Sequence, residues 1–323
     1  MKGLVVKSPG PLRKHHLSEV DIPKIKPDEV LIKVKFAGVN YPDILISKGL
    51  YQYRPELPFC PGGEVSGDVV ECGADVTSFQ VGDAVLAGIG WGGFAEYAVA
   101  SATNVYNIPA GITYQVAANI LETYATAFHA LKDRANLKKG ERILVLGASG
   151  GTGTAAVQLG KLLGAEVIAC ASTIEKLEFA KYNGASLLIN YQSDDLREKL
   201  RSIGGVDVVF DPVGGAISDK ALRSLRMGGR HLIIGFASGQ IPKIPWNIPL
   251  LKQASIVGVS WGGLWRTNPG LNRCNVEQLL KWVQENKILP KVGKVFPLSQ
   301  AISALEMLEK RSVKGKVCLK VLE

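Results

Sequence analysis

The stretch Ile143-Leu144-Val145-Leu146-Gly147-Ala148-Ser149-Gly150-Gly151-Thr152-Gly153 decides the fold of this chain. A short apolar run feeds a glycine-rich turn. The turn opens into Thr154–Leu163, where apolar residues recur at helical spacing, and Gly164 stands where a left-handed residue closes a helix. Strand, tight turn and helix together make a pyrophosphate site. The glycines let bare backbone approach a ligand, and the helix start offers unpaired N–H groups and a partial positive charge. The glycines are spaced G-x-x-G-x-x-G rather than G-x-G-x-x-G. The competing reading is a tight strand-to-helix turn without a ligand, and the flanking strand and helix weigh toward a dinucleotide.

The next strand, Glu166-Val167-Ile168-Ala169-Cys170, bears on which dinucleotide. NAD enzymes usually end it on an acidic residue that holds the ribose 2′-hydroxyl. Here Ala171, Ser172 and Thr173 follow, with Lys176 one helical turn on. Hydroxyls and a lysine suit a 2′-phosphate, which a carboxylate would repel. The cofactor expected is therefore NADPH. Lys176 taken alone also reads as a solvated helix lysine.

Strand-like and helical segments alternate from this point. Strands are expected near 143–148, 166–170, 186–190, 206–211, 230–235 and 255–259. Helices are expected at 152–163, 173–183, 194–202 and 216–226, with an irregular stretch at 241–253. This alternation predicts an α/β domain, a doubly wound parallel Rossmann sheet over 125–260. Residues 1–124 instead alternate apolar and polar between turns such as Pro9-Gly10 and Val81-Gly82-Asp83. They predict a mostly antiparallel, barrel-like β domain, completed by 261–323 with a helix at 298–311 and a strand at 316–321.

Composition narrows the function classes. The chain has 323 residues, 46% hydrophobic and 21% charged, enough for two domains. Its apolar runs are too short to span a bilayer. The start, Met1-Lys2-Gly3-Leu4-Val5-Val6, enters a strand pattern without a signal-like hydrophobic region, so a cytoplasmic protein is expected. Five cysteines without a C-x-x-C pair point to reduced thiols. A net charge of +9 is compatible with nucleic acid, but the basic residues are scattered, which fits solubility and attraction of an anionic cofactor.

With these features in view, the whole chain resembles the zinc-free, zeta-crystallin-like NADPH:quinone oxidoreductases of the medium-chain dehydrogenase/reductase superfamily. The landmarks are Ala37-Gly38-Val39-Asn40-Tyr41-Pro42-Asp43, Pro61-Gly62-Gly63-Glu64-Val65-Ser66-Gly67, Gly92-Gly93-Phe94-Ala95-Glu96-Tyr97, Gly147–Gly153 and Asp211-Pro212-Val213-Gly214-Gly215. The resemblance implies a GroES-like β domain carrying the Rossmann insertion, and a homodimer. Zinc alcohol dehydrogenases of the superfamily have a cysteine where this chain has Asn40 and a histidine where it has Gly63. Segment 84–100 lacks the cysteines of their structural zinc lobe, and His15, His16, His129 and His231 lie far in sequence from the ligand positions. No metal is expected.

The resemblance also implies the cofactor contacts. They are Thr126, Ser149, Gly150, Gly151, Thr152, Ser172, Lys176, Tyr191, Val213, the turn Phe236-Ala237-Ser238, the turn Val259-Ser260-Trp261, and Arg311. Lys176, Tyr191 and Arg311 would surround the adenosine phosphate or approach the bound cofactor. Without zinc as a Lewis acid, the substrates expected are quinones or other electron-poor conjugated carbonyls. Hydride transfer leaves an oxyanion, which Asn40 and the Tyr51 hydroxyl would meet as donors. Asp43, like Thr126, would position the nicotinamide or brace its loop. Asn40 also reads as a residue holding a turn, and Tyr51 as an exposed aromatic edge. Trp246, Trp261 and Trp265 read equally as a pocket wall or a dimer seam. Two other functions stay open: a reductase of enoyl thioesters or 2-alkenals, and a nucleotide-occupied protein that binds nucleic acid.

Overall fold

A computed structural model describes residues 1–322 of the chain. They divide into two compact units, one of residues 1–122 together with those from Leu264 onward, the other Thr123–Gly263.

The Thr123–Gly263 unit is built on a six-stranded, wholly parallel sheet. Across it the strands run Leu187–Asn190, Glu166–Ala171, Arg142–Leu146, Val206–Asp211, Leu225–Ile233 and Ser255–Gly258. The chain starts in the middle, winds to one edge, then returns to wind to the other. The doubly wound order expected from sequence is present. Ile143, Leu144, Val145 and Leu146 are wholly buried, because helices cover both faces of a parallel sheet. Helix Gly151–Leu162 packs beside Arg142–Leu146, with Gly160 close to Ile143 and with Ala155, Ala156 and Leu159 buried.

One boundary differs from expectation. The fifth strand begins at Leu225, and the preceding helix ends at Arg223. A register shift between Val206 and Val208 lets Leu225 pair with Val206 before the ladder resumes at Arg230. Tertiary pairing thus extends a strand through Gly228 and Gly229, residues that weaken a strand interior. The irregular stretch also holds a short helix, Asn247–Lys252. Pro249 lies in its first turn, where a missing N–H costs little.

In the other unit a seven-stranded sheet rolls around strand Glu29–Val39. That strand pairs antiparallel with Glu64–Cys72 along its length, with Tyr97–Ser101 over its first half and with Lys316–Lys320 over its second. Register shifts at Leu31/Ile32 and Val34/Phe36 bend it enough to serve three partners. The pairing of Lys316–Lys320 with Val292–Pro297 is parallel, so the sheet is mostly rather than entirely antiparallel. Val30, Ile32, Val34, Ala37, Val65 and Leu319 head the apolar core inside the roll. Among the described residues no helix is long and apolar enough to cross a membrane.

Candidate active site

The glycine turn keeps its expected geometry. Gly147 has φ +60°, a left-handed conformation that disfavours a side chain, and a Cβ there would lie 3.1 Å from Val213. A Cβ on Gly153 would overlap the Gly147 carbonyl oxygen. Gly150 is looser, with its nearest neighbour 3.5 Å from the position of a Cβ. Gly147 and Gly153 are therefore demanded by the turn itself, whereas the protein leaves room for a side chain at Gly150. Gly150 caps helix Gly151–Leu162, a 12-residue helix whose first N–H groups have no acceptor within it. The loop is thus a backbone cradle of the kind that takes a diphosphate.

The other candidates of this unit gather around it at one end of the sheet. Ser172 follows strand Glu166–Ala171, Tyr191 follows Leu187–Asn190 and Val213 follows Val206–Asp211. The Phe236-Ala237-Ser238 turn follows Leu225–Ile233, and Val259 follows Ser255–Gly258. In open α/β sheets the carboxyl ends of the strands are where ligands bind. The turn lies along Pro212 and Val213, since the N–H of Ala237 donates to Pro212 O at 3.0 Å and that of Ser238 to Val213 O at 2.8 Å. Asp211 locks this edge by accepting the N–H groups of Val213 and Gly214, both at 2.8 Å. Its other oxygen meets buried His231 at 3.0 Å, and its carboxyl is held below the usual range despite burial, by His231, Ser218 and Gly214.

Lys176 Nζ donates to Ser172 Oγ at 3.3 Å, and the N–H of Tyr191 donates to Ala171 O at 3.2 Å. The structure thus brings the Ser172 hydroxyl and the Lys176 ammonium together, with the backbone of Tyr191 beside them at the tip of the neighbouring strand. Thr173 caps the following helix by accepting the Lys176 N–H. Ser149 is buried within the turn, and Gly151 and Thr152 open the helix. Thr126 sits on a short helix, Thr126–Phe128, packed against Gly151–Leu162. Ser260 accepts the Gly263 N–H, and Trp261 is buried. Arg311 belongs to the other unit, in the turn after helix Ala301–Glu309, with φ +53°.

The β unit gathers a second set of groups. Its register pairs Val317 with Val39, which sets Lys316 beside Asn40, and pairs Gly38 with Glu64. Lys316 Nζ donates to Glu64 Oε1 at 3.0 Å, to Val39 O at 3.3 Å and to Asn40 Oδ1. Asn40 Nδ2 donates to Glu64 Oε1 at 2.9 Å and makes a long contact with Gly38 O at 3.4 Å. The amide expected to meet an oxyanion is thus spent within the protein.

Asp43 braces the loops, accepting the Asn40 N–H at 2.7 Å and the Gly62 N–H at 3.1 Å. Burial pushes its carboxyl up to about 7, against the pull of these bonds and of Lys316. The N–H of Glu122 donates to Glu64 Oε2 at 3.1 Å. The Glu122 carboxyl lies beside Gly63, with Oε1 2.9 Å from where a Cβ would be. Burial, then Glu64 and Asp43, push this carboxyl up to about 8.

Tyr51 packs against Val6, Ile46 and Phe59. Burial first, then Glu122 and Tyr53, push its phenol up to about 12, so it stays a donor at neutral pH. The Tyr53 ring lies 5.8 Å away, and Arg266 stacks over that ring at 4.6 Å and donates to its hydroxyl. Among the described residues no group of three His, Cys, Asp or Glu side chains is arranged to hold a metal ion.

Sequence reading missed Glu64, Glu122 and Lys316 as site residues. The signals were faint: a lone carboxylate in the small-residue run Ala117–Ala127, and a lysine opening an apolar strand.

A family model of alcohol dehydrogenase GroES-like domains matches residues 26–110, and one of zinc-binding dehydrogenases matches 151–284. Quinone oxidoreductase-like protein 2 of Bos taurus is 39% identical over 307 residues, 94% of this chain and 88% of the relative. A mycobacterial protein solved in complex with NADPH superimposes with a TM-score of 0.94 at 31% identity, covering 99% of this chain and 100% of the other. The Escherichia coli quinone oxidoreductase complexed with NADPH gives a TM-score of 0.93 at 27% identity, with the same coverage.

Proposed function

Since this chain belongs to the quinone oxidoreductase family of the medium-chain dehydrogenases/reductases, we propose that it is an NADPH-dependent, zinc-independent reductase of quinones or other electron-poor conjugated carbonyls. The observation that carries this reading is the corner of Ser172, Lys176 and Tyr191 beside the glycine cradle, with no carboxylate at the tip of the strand. A 2′-phosphate needs donors and positive charge, and that corner supplies both. The relatives solved with NADPH support the same assignment.

NADPH would supply the hydride, held by the Gly147–Gly153 cradle, the helix start and the phosphate corner. Tyr51 remains protonated at neutral pH and donates a hydrogen bond to the oxygen on which charge develops. Asp43 fixes the loops of Asn40 and Gly62. Zinc independence is supported by the side chains themselves. Gly63 offers no ligand atom, the Asn40 amide is engaged, and the Lys316 ammonium already compensates Glu64. A divalent cation there would face that ammonium across a short, dry distance.

The test is NADPH oxidation against quinones, 2-alkenals and enoyl-CoA thioesters, with EDTA throughout. Quinone or enone turnover unaffected by EDTA, with NADPH preferred over NADH, is the expected result. Turnover abolished by chelation, or a preference for NADH, would remove the zinc or the cofactor assignment in turn.

A homodimer is proposed on the same footing. Strand Ser255–Gly258 is an open sheet edge, and Ile241, Trp246 and Leu250 in the preceding stretch are 75%, 74% and 77% exposed. Paired copies would cover both features. Light scattering should give twice the chain mass, and Leu250→Glu should halve it. A wild-type monomer would sink the proposal.

A further inference from the structure

The site of the β unit has more negative groups than partners. Asp43, Glu64 and Glu122 face one another with Lys316 as the neighbouring cation. Lys316 is committed to Glu64, which also takes the Asn40 amide and the Glu122 N–H. Asp43 takes two backbone N–H groups. Among the described residues no hydrogen-bond donor reaches the Glu122 carboxyl, and Lys316, committed to Glu64, offsets its charge only in part. Burial raises both Asp43 and Glu122, and Glu122, which lacks the two backbone donors that Asp43 has, is raised further. The Glu122 carboxyl stands in the space a side chain at 63 would fill, and that position bears a zinc-binding histidine in the resemblance noted above. Tyr51 lies within its electrostatic reach. Its backbone sits in a single π turn, Leu121–Ala125, a local irregularity that commonly marks functional positions.

The geometry points to Glu122 as the acid that supplies the proton which hydride addition leaves the substrate oxygen lacking. This role rests on the reductase reading above. A quinone that accepts hydride becomes a hydroquinone monoanion and needs one proton. The carboxyl O–H bond of Glu122 breaks and an O–H bond forms on the substrate oxygen. The carboxylate then takes its next proton from solvent, residue 122 being neither fully buried nor exposed. The Tyr51 hydroxyl, whose ionisation lies much higher, orients the oxygen and keeps its own proton.

The role predicts that kcat/KM is constant at low pH and falls as pH rises through about 8, where Glu122 loses its proton. Glu122→Gln should erase that limb and lower kcat by about 10- to 100-fold. NADPH affinity should stay near wild type, as should Tm at pH 5, which a merely structural role would not leave intact. Glu122→Asp should recover part of the rate and restore the limb. If Glu122→Gln does not fold, wild-type infrared pH titration still tests the role. A protonated-carboxyl band must fade near pH 8, and kcat must slow in D₂O. An active wild type whose pH profile survives Glu122→Gln overturns the proton role and leaves the reductase reading standing. A wild type inert toward every acceptor overturns the reading beneath it.

Discussion

Lys316 Nζ meets Glu64 Oε1 at 3.0 Å, with side chains only 3% and 1% exposed. Breaking a buried pair from one side strands a charge in a medium that solvates it poorly. Lys316→Met should therefore cost about 3–5 kcal/mol of stability. Adding Glu64→Gln should recover most of that loss. Calorimetry of the single and double variants decides it, and additive losses would show that the pair is not coupled.

The two outer glycines of the turn and the middle one should respond differently. Gly153→Ala forces a methyl group onto the Gly147 carbonyl and should lower both stability and NADPH affinity. Gly150→Ala has room in the protein itself. Its stability should stay within about 1 kcal/mol of wild type, the range for a helix cap. Its NADPH affinity should still drop if the proposed diphosphate contact is made by the bare backbone at this helix cap. Thermal melts with and without NADPH separate the cases, and equal effects would contradict the assignment.

Lys176→Ala removes the ammonium beside Ser172. A charge-assisted hydrogen bond is worth about 1.5–3 kcal/mol, less where water screens it. NADPH should bind roughly 10-fold more weakly, by the tenfold per 1.4 kcal/mol conversion. NADH binding should not change. Fluorescence titration with both nucleotides at two salt concentrations is the measurement, and a parallel loss for NADH would rule out a 2′-phosphate contact.

Glu122 also carries a stability prediction. Its folded carboxyl titrates near 8, well above its ordinary value of 4.5, so the folded state binds the extra proton in between. That contribution favours folding at low pH and is lost as pH rises through this window. The Tm of Glu122→Gln relative to wild type should therefore climb from pH 5 to pH 8.5. A difference that is flat with pH would mean that Glu122 is ionised throughout.

Most of the cofactor unit was legible because its signals are local. A buried parallel strand reads as an apolar run, a phosphate turn as glycines within seven residues, and a crossover helix as a 3.6-residue repeat. The extension of the fifth strand back to Leu225 was not legible, since pairing with Val206 overrode two glycines. In the β unit the roles of Asn40 and Asp43 were only half legible. Asn40 fitted either a turn or an oxyanion donor, and Asp43 either a group positioning the nicotinamide or a brace of its loop; the occupied hydrogen bonds favour the turn and the brace.

The sequence by itself determined the winding of the sheet, the glycine cradle and the carboxylate-free strand tip, because each is written in residues a few positions apart. Tertiary structure decided the ion cluster. Lys316 and Glu64 lie 252 residues apart, and no local pattern joins them. They meet because one bent strand, Glu29–Val39, pairs with both of theirs, and register then fixes which charges must share a dry space.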